Sequence, residues 1–146
     1  MNITQVNIGD SFTSQDWIVI AQAQINAFAE ATGDYQWIHL DKARCEKESP
    51  FKTTIAHGFL TVSLLPQHFA QLVQVDETTQ TVINYGVNNL RFLEPVREGK
   101  GIKYHFSLKE KQQKSSGILY CFDTQVEVQC SETPAMIGEF LMLLVQ

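Results

Sequence analysis

Apolar and polar residues follow two different periods in the two halves of the chain. From Ala21 onward, Ile25, Phe28, Ala29 and Thr32 recur at i, i+3, i+4 and i+7, which is one face of an amphipathic helix. Gly33 stands where a glycine past the last turn would end it. Asp41 is placed to cap a short helix over 42–48, and Ser49-Pro50 stops it. Between these helices, residues 34–40 carry no period and predict an irregular crossing. A second helical pattern over 58–74 places Phe59, Leu60, Val62, Leu64, Leu65, Phe69, Leu72 and Val73 on most faces, as in a helix at the middle of a domain. Pro66 inside it predicts a kink or break at that point.

The period changes to two after Thr78. Residues 82–92, 101–110, 118–129 and 135–145 are β-type segments, separated by turn signals at 97–99, 112–117 and 131–134. Ile102, Tyr104, Phe106 and Leu108 alternate with Lys103, His105, Ser107 and Lys109; Thr124, Val126 and Val128 alternate with Gln125, Glu127 and Gln129. Strands with one polar and one apolar face form antiparallel sheets resting on a core. Near the N-terminus, residues 17–20 read as a short strand or the beginning of a helix, and Gly9-Asp10 as a turn. A central apolar helix followed by a four-strand antiparallel meander predicts one α+β domain over 1–146, its sheet curled around the helix. The open edges of such a sheet predict pairing with a second copy, as a homodimer or larger homo-oligomer.

Composition narrows the functional classes. The 146 residues suffice for one domain with a real core, and 44% hydrophobic and 18% charged residues are ordinary for a globular protein. A net charge of −5 without a Lys/Arg cluster argues against a nucleic-acid partner. No apolar run is long enough to span a bilayer, and the first residues lack the pattern of a signal peptide, so a cytoplasmic protein without a membrane partner is expected. Cys45, Cys121 and Cys130 form no C-x-x-C pair and read as reduced, mostly buried thiols; no His/Cys spacing suits zinc.

The candidate chemistry lies between Phe28 and Phe59. Asp34 and His39 are five residues apart, and Gly58 opens the apolar helix pattern. A carboxylate and an imidazole can divide general acid and base roles, while a backbone N–H at a helix start can stabilise charge developing on a carbonyl oxygen. Each has a plainer role: Asp34 as a turn residue, His39 as a satisfied core or surface histidine, Gly58 as a cap or a close contact. Ser63 could hydrogen-bond Asp34 or His39, or be an ordinary helix serine. His57 reads as positioning the helix start, while His68 and His105 read as bystanders.

Phe28-x-x-x-Thr32-Gly33-Asp34-x-x-x-Ile38-His39, with Ala56-His57-Gly58-Phe59-Leu60 downstream, resembles the MaoC-like dehydratases, also called R-specific enoyl-CoA hydratases. The nodulation protein N-like branch is nearest in wording. The likeness is strongest over 25–66 and extends loosely to 84–86 and 91–96. It implies a hot-dog fold, acyl-thioester substrates and reversible hydration of trans-2-enoyl thioesters to (R)-3-hydroxyacyl thioesters. It further implies Asp34 and His39 as the catalytic pair, the Gly58 N–H as oxyanion donor, and no cofactor beyond the coenzyme A of the substrate. Trp37, Ile55, Ala56, Phe59, Ser63 and Arg91 are the expected substrate contacts. Arg91, Arg97, Lys100 and Lys103 could meet coenzyme A phosphates, although a solvated strand face is the simpler role. The usual Asn-Pro before the histidine is replaced by Gln36-Trp37, which leaves spacing intact and makes Trp37 a candidate to reshape the acyl pocket. A hot-dog thioesterase and a non-catalytic acyl-binding protein are the competing readings; the absence of Asp and Glu from 58–74 speaks against the first.

Overall fold

The computed structural model describes residues 1–146. A 3-10 turn at Ile3–Gln5 leads into β1 (Ser11–Thr13) and β2 (Ile18–Val19). Five helices follow: α1 (Gln22–Thr32), α2 (Trp37–Leu40), α3 (Lys42–Glu48), α4 (Gly58–Ser63) and α5 (Leu65–Leu72). Four long strands complete the chain: β3 (Thr81–Phe92), β4 (Gly101–Lys114), β5 (Gly117–Val128) and β6 (Met136–Val145).

The antiparallel sheet runs β1-β4-β5-β6-β3, with β2 also paired to β4. The β4, β5 and β6 hairpins follow chain order, but the predicted four-strand meander is wrong at one point. Strand β3 pairs with β6, not with β4. Residues 93–100 connect β3 to β4 without making a hairpin, because their backbone is engaged elsewhere. Leu93 N–H donates to the Ala135 carbonyl, Glu98 N–H to Thr54 and Gly99 N–H to Ile20, while the Val96 carbonyl accepts from Ala56. The connection thus belongs to the layer of irregular chain that precedes α4. The register shift between Leu108 and Glu110 lies within the longest strand pairing, where a bulge bends the sheet.

The concave face carries the core. Ile102, Tyr104, Phe106 and Leu108 of β4 are buried, as their alternation predicts. They pack with Tyr120, Phe122 and Val126 of β5 and Phe140, Met142 and Leu144 of β6 against Leu60, Leu65 and Phe69 of α4 and α5. This is the α+β hot-dog architecture.

The helical segment differs from its prediction in three ways. It is broken at Leu64 rather than kinked at Pro66, which occupies the first turn of α5, where its missing N–H removes no helical hydrogen bond. It ends at Leu72, and Val73 is already extended. The burial is also one-sided: Leu60, Leu65, His68 and Phe69 face the sheet, while Phe59 is 69% exposed. Residues 34–40 are not wholly irregular, since α2 forms one helical turn there. Gly33 is left-handed (φ 78°) and ends α1, and Asp41 caps α3 by accepting from the Arg44 N–H at 3.0 Å.

One buried polar contact holds α4 onto the sheet. The Tyr104 hydroxyl donates to the Thr61 carbonyl at 2.7 Å, close to the helix break. Tyr104→Phe leaves that contact unmade and is expected to destabilise the protein by about 1–3 kcal/mol, lowering Tm by roughly 2–4 °C per kcal/mol. Calorimetry that finds no loss would mean the contact does not anchor α4.

Candidate active site

Three short stretches converge at the end of the helical layer. The first is the exit from α1. Thr32 Oγ donates to the Phe28 carbonyl and accepts from the Asp34 N–H, and the Asp34 carboxylate accepts from the Gln36 N–H at 3.3 Å. Asp34 is therefore a turn residue, as its plain reading holds, yet its exposed carboxylate stands free at the cluster. The second stretch is α2, which carries His39 inward to 6% exposure. The third is residues 54–58, which enter α4.

His39 is held from several sides. Its Nδ1 is 2.7 Å from the Ile55 carbonyl. A carbonyl only accepts, so Nδ1 carries the proton and Nε2 keeps its lone pair. The Ile55 N–H donates back to the Ile38 carbonyl, and the Gln22 amide donates to the His39 carbonyl at 2.7 Å. Gln22 in turn accepts from the Thr54 hydroxyl at 2.5 Å. Burial, more than any other cause, lowers the His39 pKa below the usual histidine value of 6.5; the Ile55 bond and Asp34 oppose that shift, and His57 adds to it. His39 is thus a neutral imidazole at neutral pH, with an available Nε2.

One polar atom from each of Asp34, His39 and His57 lies within 4.8 Å of the other two. Such a group is dense enough to hold a divalent ion, and each imidazole has one nitrogen on a backbone carbonyl, which leaves its other nitrogen free for a ligand or a proton.

Gly58 is the first residue of α4, so its N–H has no acceptor within the helix. With only six residues, α4 contributes little dipole, and the individual N–H is the relevant feature. The Phe92 ring lies against Gly58, and a Cβ there would fall within 2.8 Å of it. Any side chain at this position would have to push the Phe92 ring aside. Beside these groups is an apolar cavity of about 400 Å³, lined by His39, Phe51, Ile55, Ala56, Gly58 and Phe59 and closed from the β3 side by Phe92 and residues 93–96. A larger groove of about 620 Å³, between α5 and the start of β3, has no histidine in its lining.

The other expected contacts divide. Ile55, Ala56 and Phe59 line the cavity. Trp37 does not; its ring lies beneath the Arg44 guanidinium, 4.0 Å from the ring centroid. The Ser63 hydroxyl donates to the Leu60 carbonyl of its own helix at 2.7 Å, in place of the possible bond to Asp34 or His39. Arg91 is exposed on β3 and donates to the Leu90 carbonyl. Arg97 donates to the Phe51 carbonyl and Lys103 covers Trp17, so both have structural contacts. His105 pairs with Glu127 at 2.8 Å on the polar face. His68, read as a bystander, is a core residue stacked on Tyr104. Gln22, Phe51 and Phe92 went unread as site residues; only Phe92 had a signal, as part of the Arg91-Phe92-x-x-Pro95-Val96 segment.

A buried neutral imidazole and a helix-start N–H thus line one apolar cavity on a hot-dog scaffold, with a turn carboxylate next to the imidazole. Residues 4–129 match the MaoC like domain family, and the chain belongs to it. It is 40% identical to 3-hydroxyacyl-thioester dehydratase Z of Mycobacterium tuberculosis, over 92% of this chain and 88% of that protein. It is 36% identical to nodulation protein N of Rhizobium leguminosarum bv. viciae, over 94% and 86%. Among solved structures, the R-hydratase PhaJ1 of Pseudomonas aeruginosa aligns with a TM-score of 0.77 at 26% identity, covering 98% of this chain and 88% of that one. The protein is a hydro-lyase of this family.

The His39 environment predicts a titration. Because burial lowers its folded pKa, ¹⁵N imidazole resonances should keep the Nδ1–H neutral pattern down past pH 6.5 before protonating. The unfolded chain takes up this proton first as pH falls, so stability drops below about pH 6.5. A midpoint at or above 6.5 would contradict the assigned environment.

Proposed function

We propose that the protein hydrates trans-2-enoyl thioesters to (R)-3-hydroxyacyl thioesters, and catalyses the reverse dehydration, using Asp34, His39 and the Gly58 N–H. The observation that carries this reading is the free Nε2 of a buried, neutral His39 that lines an apolar cavity and has the Asp34 carboxylate beside it.

The thioester oxygen accepts from the Gly58 N–H. Asp34 and His39 hold a water molecule over C3, and one of them takes its proton as the C–O bond forms. The π electrons move toward the thioester, where negative charge collects on the oxygen beside Gly58. The residue that took the water proton then gives it to C2, and the double bond is saturated. Dehydration runs the same path backward with the roles exchanged. Losing one oxyanion donor of this type costs about 3 kcal/mol of transition-state stabilisation. Neither α4 nor α5 contains an Asp or Glu that could direct water at the thioester carbonyl, which favours hydration over thioester cleavage.

The cavity suits the acyl portion, with coenzyme A or another carrier outside it. Phe51, Phe59 and Phe92, rather than Trp37, are its aromatic walls. The three free cysteines accord with a reducing cytoplasm, and no helix is long and apolar enough to cross a membrane.

Crotonyl-CoA tests the chemistry. Wild type should consume the enoyl absorbance without releasing thiol, and Asp34→Asn and His39→Gln should each lower kcat by roughly 10²–10⁴-fold while remaining folded. Thiol release would point to a thioesterase, and no turnover to an acyl-binding protein.

The reading includes a homodimer. Strand β3 is hydrogen-bonded only to β6, and Ile83, Tyr85 and Val87 are exposed along it. Light scattering should give twice the chain mass for wild type and a lower mass for Val87→Glu; a monomeric wild type would refute pairing through this edge.

A further inference from the structure

We propose that His57 is a positioning residue for the reaction, holding Asp34 and His39 in one geometry at the threshold of Gly58. The proposal rests on the Asp34–His39 reading above. His57 touches all three parts of that site. Its Nε2 lies 3.0 Å from the Asp34 carbonyl, so Nε2–H is the donor. Its ring stacks on the His39 imidazole, with centroids 3.8 Å apart and planes inclined by 23°. Its backbone begins α4, accepting the Leu60 N–H at 3.0 Å and the Thr61 N–H at 3.3 Å, and its peptide bond supplies the Gly58 N–H. Phe28 of α1 closes the far side, 4.9 Å away by ring centroids.

The imidazole is unusual in its surroundings. His57 is 2% exposed, and its Nδ1 is buried with no hydrogen-bond partner. With Nε2 as the donor, the neutral ring leaves an unpartnered lone pair, which is destabilising in a buried place. A phenyl ring would fill the space without that cost, but it would lack the donor that fastens Asp34. The donor is therefore the feature that makes an imidazole useful here.

Two imidazoles this close repel each other when both carry a proton. His57 is one of the causes that lower the His39 pKa, after burial, while Asp34 opposes it. The titratable groups acting on His39 are Asp34 from the turn after α1 and His57 from the start of α4; Glu94 lines the far part of the same cavity. The α1 contact to His39 is the uncharged Gln22. Loss of His57 should therefore make His39 easier to protonate.

Two substitutions separate anchoring from stacking. His57→Phe keeps a ring and removes the donor; His57→Gln keeps an N–H donor of similar reach and removes the ring. Crotonyl-CoA hydration and the ¹⁵N titration of His39 are measured on both variants and wild type. His57→Phe is expected to lose roughly 10–100-fold in kcat with little change in KM, as for a misplacement of catalytic groups. His57→Gln should recover much of that loss. In both, the His39 midpoint and the acidic limb of kcat/KM should move to higher pH; in His57→Phe, where a ring still covers His39, mere loss of packing would not give that change. If His57→Phe does not fold, His57→Leu is compared with His57→Gln, and recovery of kcat by the variant that keeps the donor decides. Folded variants with wild-type kcat and an unmoved His39 midpoint would overturn the proposal. An inactive wild type would instead overturn the hydratase reading, and this one with it.

Discussion

Phe69 sits where helix and sheet meet. Its ring makes edge-on contacts with Phe106 of β4, Phe122 of β5 and Phe140 of β6, at centroid distances of 5.3, 4.9 and 6.5 Å. One side chain on α5 therefore touches three neighbouring strands, and such aromatic contacts add to the large area each ring buries. This packing sets where α5 lies across the concave face. The break at Leu64 then redirects the chain, Tyr104 holds Thr61, and the start of α4 is delivered to the rim of the sheet with Gly58 outward. The position of this corner is a consequence of how the core is filled.

A second constraint acts at that corner. An imidazole that is to accept a proton must be neutral with one nitrogen free, yet when buried it needs its other nitrogen satisfied. The Ile55 carbonyl meets that need for His39, and Gln22 and Thr54 secure the surrounding backbone. Asp34 has the opposite surroundings. It is exposed, its carboxylate accepts a local N–H, and its backbone is tied to His57. Two titratable groups in unlike settings, one desolvated and one wet, is the arrangement by which acid and base tasks become distinct.

Much of this was legible before folding is considered, because it is local. The alternation over 102–108 identifies the buried face of β4; Gly33 and Asp41 mark helix ends by conformational and capping preferences that act within a few residues. Asp34, His39 and Gly58 stand out by spacing, and resemblance gave them roles. What stayed hidden depends on contacts between distant segments. The β3–β6 pairing follows from the bonds made by residues 93–100, which have no signature in the turn residues of that stretch. The exposure of Phe59, the burial of His68 and the cavity walls supplied by Phe51 and Phe92 depend on which side of a helix or loop meets the sheet. Ser63 is the reverse case: its own helix satisfies it, a local bond that a distant partner must displace.

Two cavities are large enough for an acyl chain, and of these only the smaller is lined by His39 and Gly58. A crystal structure of Asp34→Asn with crotonyl-CoA bound distinguishes them directly. The account predicts the crotonyl chain in the cavity walled by Phe51, Phe59 and Phe92, its thioester oxygen within hydrogen-bond distance of the Gly58 nitrogen and C3 facing residue 34 and His39. A thioester seated instead in the groove between α5 and β3, away from Gly58, would contradict it.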